Sequence, residues 1–181
     1  METTCWSTPA TFTWRESDHS SNEFSLLAGA DEAAHLSRHG WAGYDAVITT
    51  PFGSWEIRSE GFWRPRLIIA DRTSGAQIGE CKRDWMSGDR AIRWHDGVVY
   101  HWHQAGWWSD VFELAGGDGK VILRTSPGNE RWSLRNLFRT NGMMEIADPG
   151  TDQARLSVLG GLSWLLLLLY REQMASAVVM C

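Results

Sequence analysis

The stretch that most constrains this chain is Leu156–Tyr170, Leu-Ser-Val-Leu-Gly-Gly-Leu-Ser-Trp-Leu-Leu-Leu-Leu-Leu-Tyr, which is apolar on every face. A helix without a polar side has no stripe to lay on a surface, so it must be buried in a protein core or in a bilayer. At a rise of about 1.5 Å per residue the run covers roughly 22 Å, short of the roughly 30 Å of a hydrocarbon layer. Arg155 precedes it and Arg171-Glu172 follows it. The expected element is a core helix over about residues 152–174, with a membrane anchor as the competing reading. Thr151 or Asp152 is placed to cap its free N–H groups.

A core helix needs a wall. Between Tyr44 and Ile146 short apolar runs alternate with turn residues every eight to twelve positions, the pattern of a β-sandwich or barrel. Expected strands are Asp45–Thr50, Trp55–Ser59, Leu67–Ala70, the segment around Ile78, Trp107–Leu114, Val121–Arg124 and Met143–Ile146. Turns are expected at Pro51–Gly53, Asp71–Gly75, Met86–Asp89, Gly116–Gly119 and Pro127–Asn129. Phe24–Leu27 and Ala34–Ser37 suit a hairpin, against a helix over Asp31–His39. Arg131–Arg139 fits a strand better than a helix, although its arginines recur at helical spacing. Thr11–Arg15 is a further short strand. Residues 1–21 are expected to form a poorly structured segment or an edge strand, and residues 22–181 a single domain.

The hairpin around Asp96-Gly97 fixes a register. A three-residue loop, His95-Asp96-Gly97, pairs Trp94 with Val98, Ile92 with Tyr100 and Arg90 with Trp102. That keeps the apolar face together and gives Gly97 the left-handed position of a bulged turn. Val98, Tyr100 and Trp102 are then expected inside, and His101 and His103 outside. Phe112 and Leu114 are expected to face inward.

These residues carry a resemblance. Short strands that include Trp63–Asp71 and Trp102–Leu114, ending in a wholly apolar C-terminal helix, resemble the tubby C-terminal-like superfamily, with its phospholipid scramblases and LURP-one-related proteins. The resemblance covers roughly Phe24–Tyr170. It implies a mostly-β fold, a closed antiparallel β-barrel of about twelve strands around a buried hydrophobic C-terminal α-helix. It also implies phospholipid binding or membrane tethering without catalysis. The sequence has no cysteine cluster suited to palmitoylation and no acidic Ca²⁺ loop, which sets scrambling aside.

Charge narrows the partners. The chain has 181 residues, Lys+Arg 17, Asp+Glu 22 and a net charge of -5, which argues against nucleic acid. From Arg58 to Arg93, however, basic residues outnumber acidic ones. Arg64, Arg66, Lys82, Arg83, Arg90 and Arg93 are the candidate ligands for an anionic phospholipid headgroup, since guanidinium forks match phosphate oxygens. Trp63 and Trp85 stand among them, suited to an interface between water and lipid. The bland alternative is a solvated charged wall.

Other motifs carry less. His101 and His103 share a strand face, half of a metal site, with His95 and Asp110 as further ligands and a metal-dependent enzyme as the corresponding function. Ser109-Asp110 beside them lacks the strand-to-helix elbow of a hydrolase. Gly116–Gly119 reads as a hairpin turn, because no phosphate-binding helix follows it. Twelve Trp leave open a barrel that holds a small apolar ligand. Cys5, Cys81 and Cys181 form no metal-like pair, and no cofactor is expected. Met1–Trp6 lacks the features of a secretion signal, so the cytoplasm, with peripheral membrane contact, is the expected compartment.

Overall fold

A computed structural model of the protein describes residues 11–39, 44–61, 66–83, 89–128, 141–148 and 150–179. Twelve strands follow one another along the chain. They are β1 (Thr11–Glu16), β2 (Glu23–Ala28), β3 (Asp31–His39), β4 (Asp45–Thr50), β5 (Gly53–Glu60), β6 (Arg66–Asp71), β7 (Gln77–Arg83), β8 (Arg90–Trp94), β9 (Val99–Gln104), β10 (Phe112–Gly116), β11 (Val121–Pro127) and β12 (Gly142–Ile146). One helix, α1 (Gln153–Val179), ends the chain.

Each strand pairs antiparallel with its sequence neighbour, and β1 pairs with β12 to close a barrel. An even number of alternating strands is what lets the first and last meet antiparallel. β1 is therefore bonded on both sides, to β12 and to β2, and is a stave of the wall. That corrects the expectation of an edge strand.

An eight-stranded barrel is filled by its own side chains, so twelve strands leave a wider interior. A helix about 10–12 Å across fills it. Leu156, Val158, Leu159, Leu162 and Leu165–Leu169 are all buried against the inner wall. Gln153–Ser176 is long and apolar enough to cross a bilayer, but 78% of its 18-residue apolar window is buried inside the protein. The helix needs no polar partner there, because its own ladder satisfies its backbone.

Two glycines make the fit possible. A Cβ on Gly142 of β12 would stand 2.2 Å from the Trp164 ring, and one on Gly161 would stand 2.8 Å from Ile48. Trp164 stacks on Trp14 with centroids 5.6 Å apart and meets Phe24 edge-on at 6.1 Å. The helix is thus keyed to β1, β2, β4 and β12.

Both ends of the helix are tied to the wall. At its start the Arg155 N–H donates to Asp152 Oδ1 at 2.9 Å, the expected cap. The Arg155 guanidinium lies 5.2 Å over Trp94, pairs with Asp96 and reaches the Tyr100 hydroxyl at 3.4 Å. Near its exit Arg38, itself buried, grips Glu172 with two bonds of 2.8 and 3.0 Å. α1 continues to Val179, past the expected end near 174.

The β8–β9 hairpin has the expected register, Arg90 opposite Trp102 and Ile92 opposite Tyr100, with Gly97 at φ 87°. Val98 departs from expectation. It lies outside β9 in the turn and is 39% exposed. The β2–β3 segment is the hairpin, not the helix. Arg131–Arg139 and the turn at Met86 lie outside or largely outside the described residues.

Trp107–Leu114 is not one strand. β10 begins at Phe112, and residues 105–111 form a loop closed by Ala105 N–H to Val111 O at 2.9 Å and Ser109 N–H to Gly106 O at 2.9 Å. Phe112 and Leu114 do face inward.

Candidate functional site

The antiparallel meander sorts its connections into two ends. At the entry end, where α1 begins, the connections are short turns such as 29–30, 51–52, 95–98 and 117–120. At the exit end, where α1 emerges, the fully described connections, 17–22 and 105–111, are longer. The second of them carries Trp107 and Trp108, and both stand in solvent, 87% and 93% exposed. Met143 near the start of β12 and Met174 on the emerging helix are exposed at the same end.

The loop that presents this pair is firmly built. The Gln104 amide donates to the Ser109 carbonyl, and the Val111 N–H donates to Ser109 Oγ at 3.1 Å. Ser109 therefore shapes a turn rather than facing a base. Trp14, Trp55, Trp94, Trp102 and Trp164 are, by contrast, buried in the core. With α1 among them, the interior that an apolar ligand would need is filled with protein.

The six candidate cations do not converge on one surface. Arg64 lies outside the described residues. Arg66, Lys82 and Arg93 share the outer wall around Glu80 on β7. Lys82 Nζ is 2.7 Å and Arg66 Nη1 3.4 Å from the Glu80 carboxylate, and Arg66 also pairs with Glu60 at 3.1 Å. Arg93 stands opposite Glu80 in the ladder. The Lys82 hydrogen bond, helped by the charges of Lys82, Arg66 and Arg93, holds the Glu80 carboxyl below its ordinary range. Beside them Arg58 pairs with Glu56. The outer wall is a lattice of matched charges, and each exposed pair of this kind contributes about 0–1 kcal/mol.

Arg83 and Arg90 belong elsewhere. They are opposed across β7 and β8 at the exit end, on the inner side of the wall. Arg90 is only 7% exposed. Arg83 Nη1 meets Gln173 Oε1 of α1 at 3.3 Å, and the Gln173 amide reaches the Tyr44 hydroxyl at 3.4 Å. Arg90 shares a hydrogen bond with the Cys81 thiol, which burial pushes up to about 12.

The remaining motifs separate. His101 and His103 face outward as expected, His103 3.8 Å from Glu113 across the β9–β10 ladder. His95 lies in an entry-end turn and Asp110 in the exit-end loop, so the chain does not gather them with the pair. Among the described residues no group of three or more His, Cys, Asp or Glu could hold a metal ion. Gly116–Gly119 is a hairpin turn, closed by Gly119 N–H to Gly116 O at 2.9 Å.

Reading Trp107-Trp108 as strand hid the strongest surface feature. One signal was available in the sequence: adjacent residues of a strand point to opposite faces, so two adjacent tryptophans cannot both enter the core. Comparison of the chain with protein-family models, with curated proteins and with solved structures finds no match.

Proposed function

We propose that this chain is a non-enzymatic, membrane-associated binding domain that meets a lipid surface with its exit end. The observation that carries the reading is the Trp107-Trp108 pair, almost fully exposed at the end of a barrel whose other described tryptophans are buried. An indole has an apolar body and one N–H, and it settles at the level of the headgroups with the ring toward the chains. Met174 on the emerging helix lies at the same end, and the helix continues through Ala175-Ser-Ala-Val-Val179, which has no charge.

The matched charges of the outer wall argue for docking driven by insertion rather than by a basic field. Lipid contact of this kind depends little on salt, whereas attraction to anionic headgroups is screened. The test is flotation of the full chain with phosphatidylcholine vesicles at low and high salt. Binding that persists at high salt is expected. No binding to any vesicle would refute the reading, and binding that needs anionic lipid and vanishes with salt would move the site to the basic wall.

A further inference from the structure

The geometry points to an oxyanion site inside the exit rim, in which Arg83 and Arg90 hold one phosphate group, with the Trp102 indole N–H as a neighbouring donor. Its natural source at that rim is a phosphomonoester headgroup, a refinement that rests on the lipid-surface reading; a free phosphate monoester has the same chemistry.

The first observation is the register. Arg83 and Arg90 are direct cross-strand partners on the inner side of the wall. Like charges placed opposite each other in a ladder destabilise it unless something negative lies between them. Lysines would spread such a clash over long flexible stems, whereas two guanidinium forks present several donors in fixed planes, the arrangement that suits a tetrahedral oxyanion.

The second is the missing counter-charge. Among the described residues no carboxylate forms an ion pair with Arg83 or Arg90, although Arg38, Arg58, Arg66, Arg124 and Arg155 each have one. A guanidinium as buried as Arg90 is costly without an anionic partner. Its hydrogen-bond partner, the Cys81 thiol, is neutral at physiological pH because burial pushes it up to about 12. Burial correspondingly lowers Arg90 from its ordinary range.

The third is an orphan donor. Trp102 is the partner of Arg90 on the other side, in β9, and its Nε1 is buried with no hydrogen-bond acceptor. Buried donors are nearly always matched, and an unmatched one calls for an explanation. Two guanidinium groups side by side on the wall, with no carboxylate paired to either among the described residues, are prepared for an anion. On the outer wall, by contrast, Arg58, Arg66 and Lys82 each have a carboxylate within 4 Å, and the cations there without one, Arg15 and Arg93, are not buried.

The test uses the full-length protein. Thermal unfolding is followed in inorganic phosphate and in chloride at equal ionic strength, for wild type, Arg83→Gln and Arg93→Gln. Arg83 is exposed, so its replacement is expected to leave the fold intact, whereas Arg90→Gln sits deeper and serves as a second variant. Wild type and Arg93→Gln should gain a saturable rise in Tm from phosphate. Arg83→Gln should bind phosphate about tenfold or more weaker, the scale of one charge-assisted contact. In chloride alone Arg83→Gln should be no less stable than wild type, because it relieves a like-charge pair. No phosphate-specific rise in wild type, or an equal rise in Arg83→Gln, would overturn the site.

Vesicles separate the two sources. If phosphatidate added to phosphatidylcholine strengthens binding of wild type and not of Arg83→Gln, the phosphate is a headgroup. A rise in Tm with free phosphate and no gain from phosphatidate assigns a soluble monoester. Failure of the phosphate effect with intact binding to phosphatidylcholine refutes this site alone. Loss of vesicle binding with the phosphate effect retained refutes the lipid-surface reading alone.

Discussion

The two ends of the barrel are made from the same twelve strands and serve different ends of one helix. The entry end is closed by short turns, and Asp96, Arg155, Trp94 and Tyr100 bind the helix start to the β8–β9 hairpin with every charge answered. At the exit end the connections lengthen, Trp107 and Trp108 face solvent, and two arginines oppose each other without a paired carboxylate among the described residues. The middle is indifferent to this asymmetry, being mostly apolar, with the hydroxyls of Thr125, Ser157 and Ser163 buried in it. The difference teaches that, under the proposed reading, the groups free for recognition gather at one end of the barrel axis. The helix is held at both ends, but the exit end also carries groups that water or protein satisfies poorly.

The most disruptive way to break the comparison is to remove what both ends share. Trp164→Ala should cost about 3–5 kcal/mol, since it takes away a fully buried ring stacked on Trp14 and nested over Gly142. Denaturant unfolding measures it, and both ends should loosen together.

A sharper cut separates the ends. Each of Trp107→Ala and Trp108→Ala should weaken vesicle binding about tenfold, the effect of withdrawing a large apolar side chain from the interface. Val98→Ala, an exposed apolar residue at the entry end, should leave vesicle binding unchanged. Flotation against lipid concentration reads all three.

The entry end should respond to acid. Asp96 is held below its ordinary value of 3.8, chiefly by the Arg155 hydrogen bond, and Asp148 likewise by Lys120. A carboxyl lowered in the folded state adds stability that is present above its unfolded pKa and is lost as pH falls through the folded one. Stability should therefore decline below about pH 4. In Asp96→Asn the decline should be shallower, as thermal melts across acid pH will read.

The smallest effect belongs to the outer wall. Arg66→Gln should change stability by less than about 0.5 kcal/mol, because Arg66 is exposed and shares its carboxylates. A large loss of vesicle binding in that variant would return the recognition site to the wall.

Much of the fold was legible because the residues leave few alternatives. An apolar run with charge at both ends has to be covered, and strands spaced by turn residues can cover it. Asp96-Gly97 fixed a register because only the three-residue loop kept Ile92, Tyr100 and Trp102 on one face. The site was less legible. Whether Arg66, Lys82 and Arg93 form a basic patch depends on what stands opposite them, and that follows from ladder registers shifted by a bulge between Ile69 and Ala70. No local pattern announces that bulge. The same gap hid the pairing of Arg83 with Arg90, which belong to separate strands. Trp107-Trp108 was misread for a different reason: high strand propensity outweighed the alternation rule that forbids two inward neighbours.

The most direct test compares the two ends in one experiment. With Cys5 and Cys181 replaced by serine, and Cys81 buried with its thiol protonated, a spin label can be placed singly at Asp110→Cys or at Ala30→Cys. Asp110 lies in the exit-end tryptophan loop, and Ala30 in the entry-end β2–β3 turn. On adding phosphatidylcholine vesicles, the label at 110 should lose access to a water-soluble relaxing agent and gain access to oxygen. The label at 30 should stay in water. Labels that both remain in water, or a label at 30 that enters the lipid first, would contradict the account.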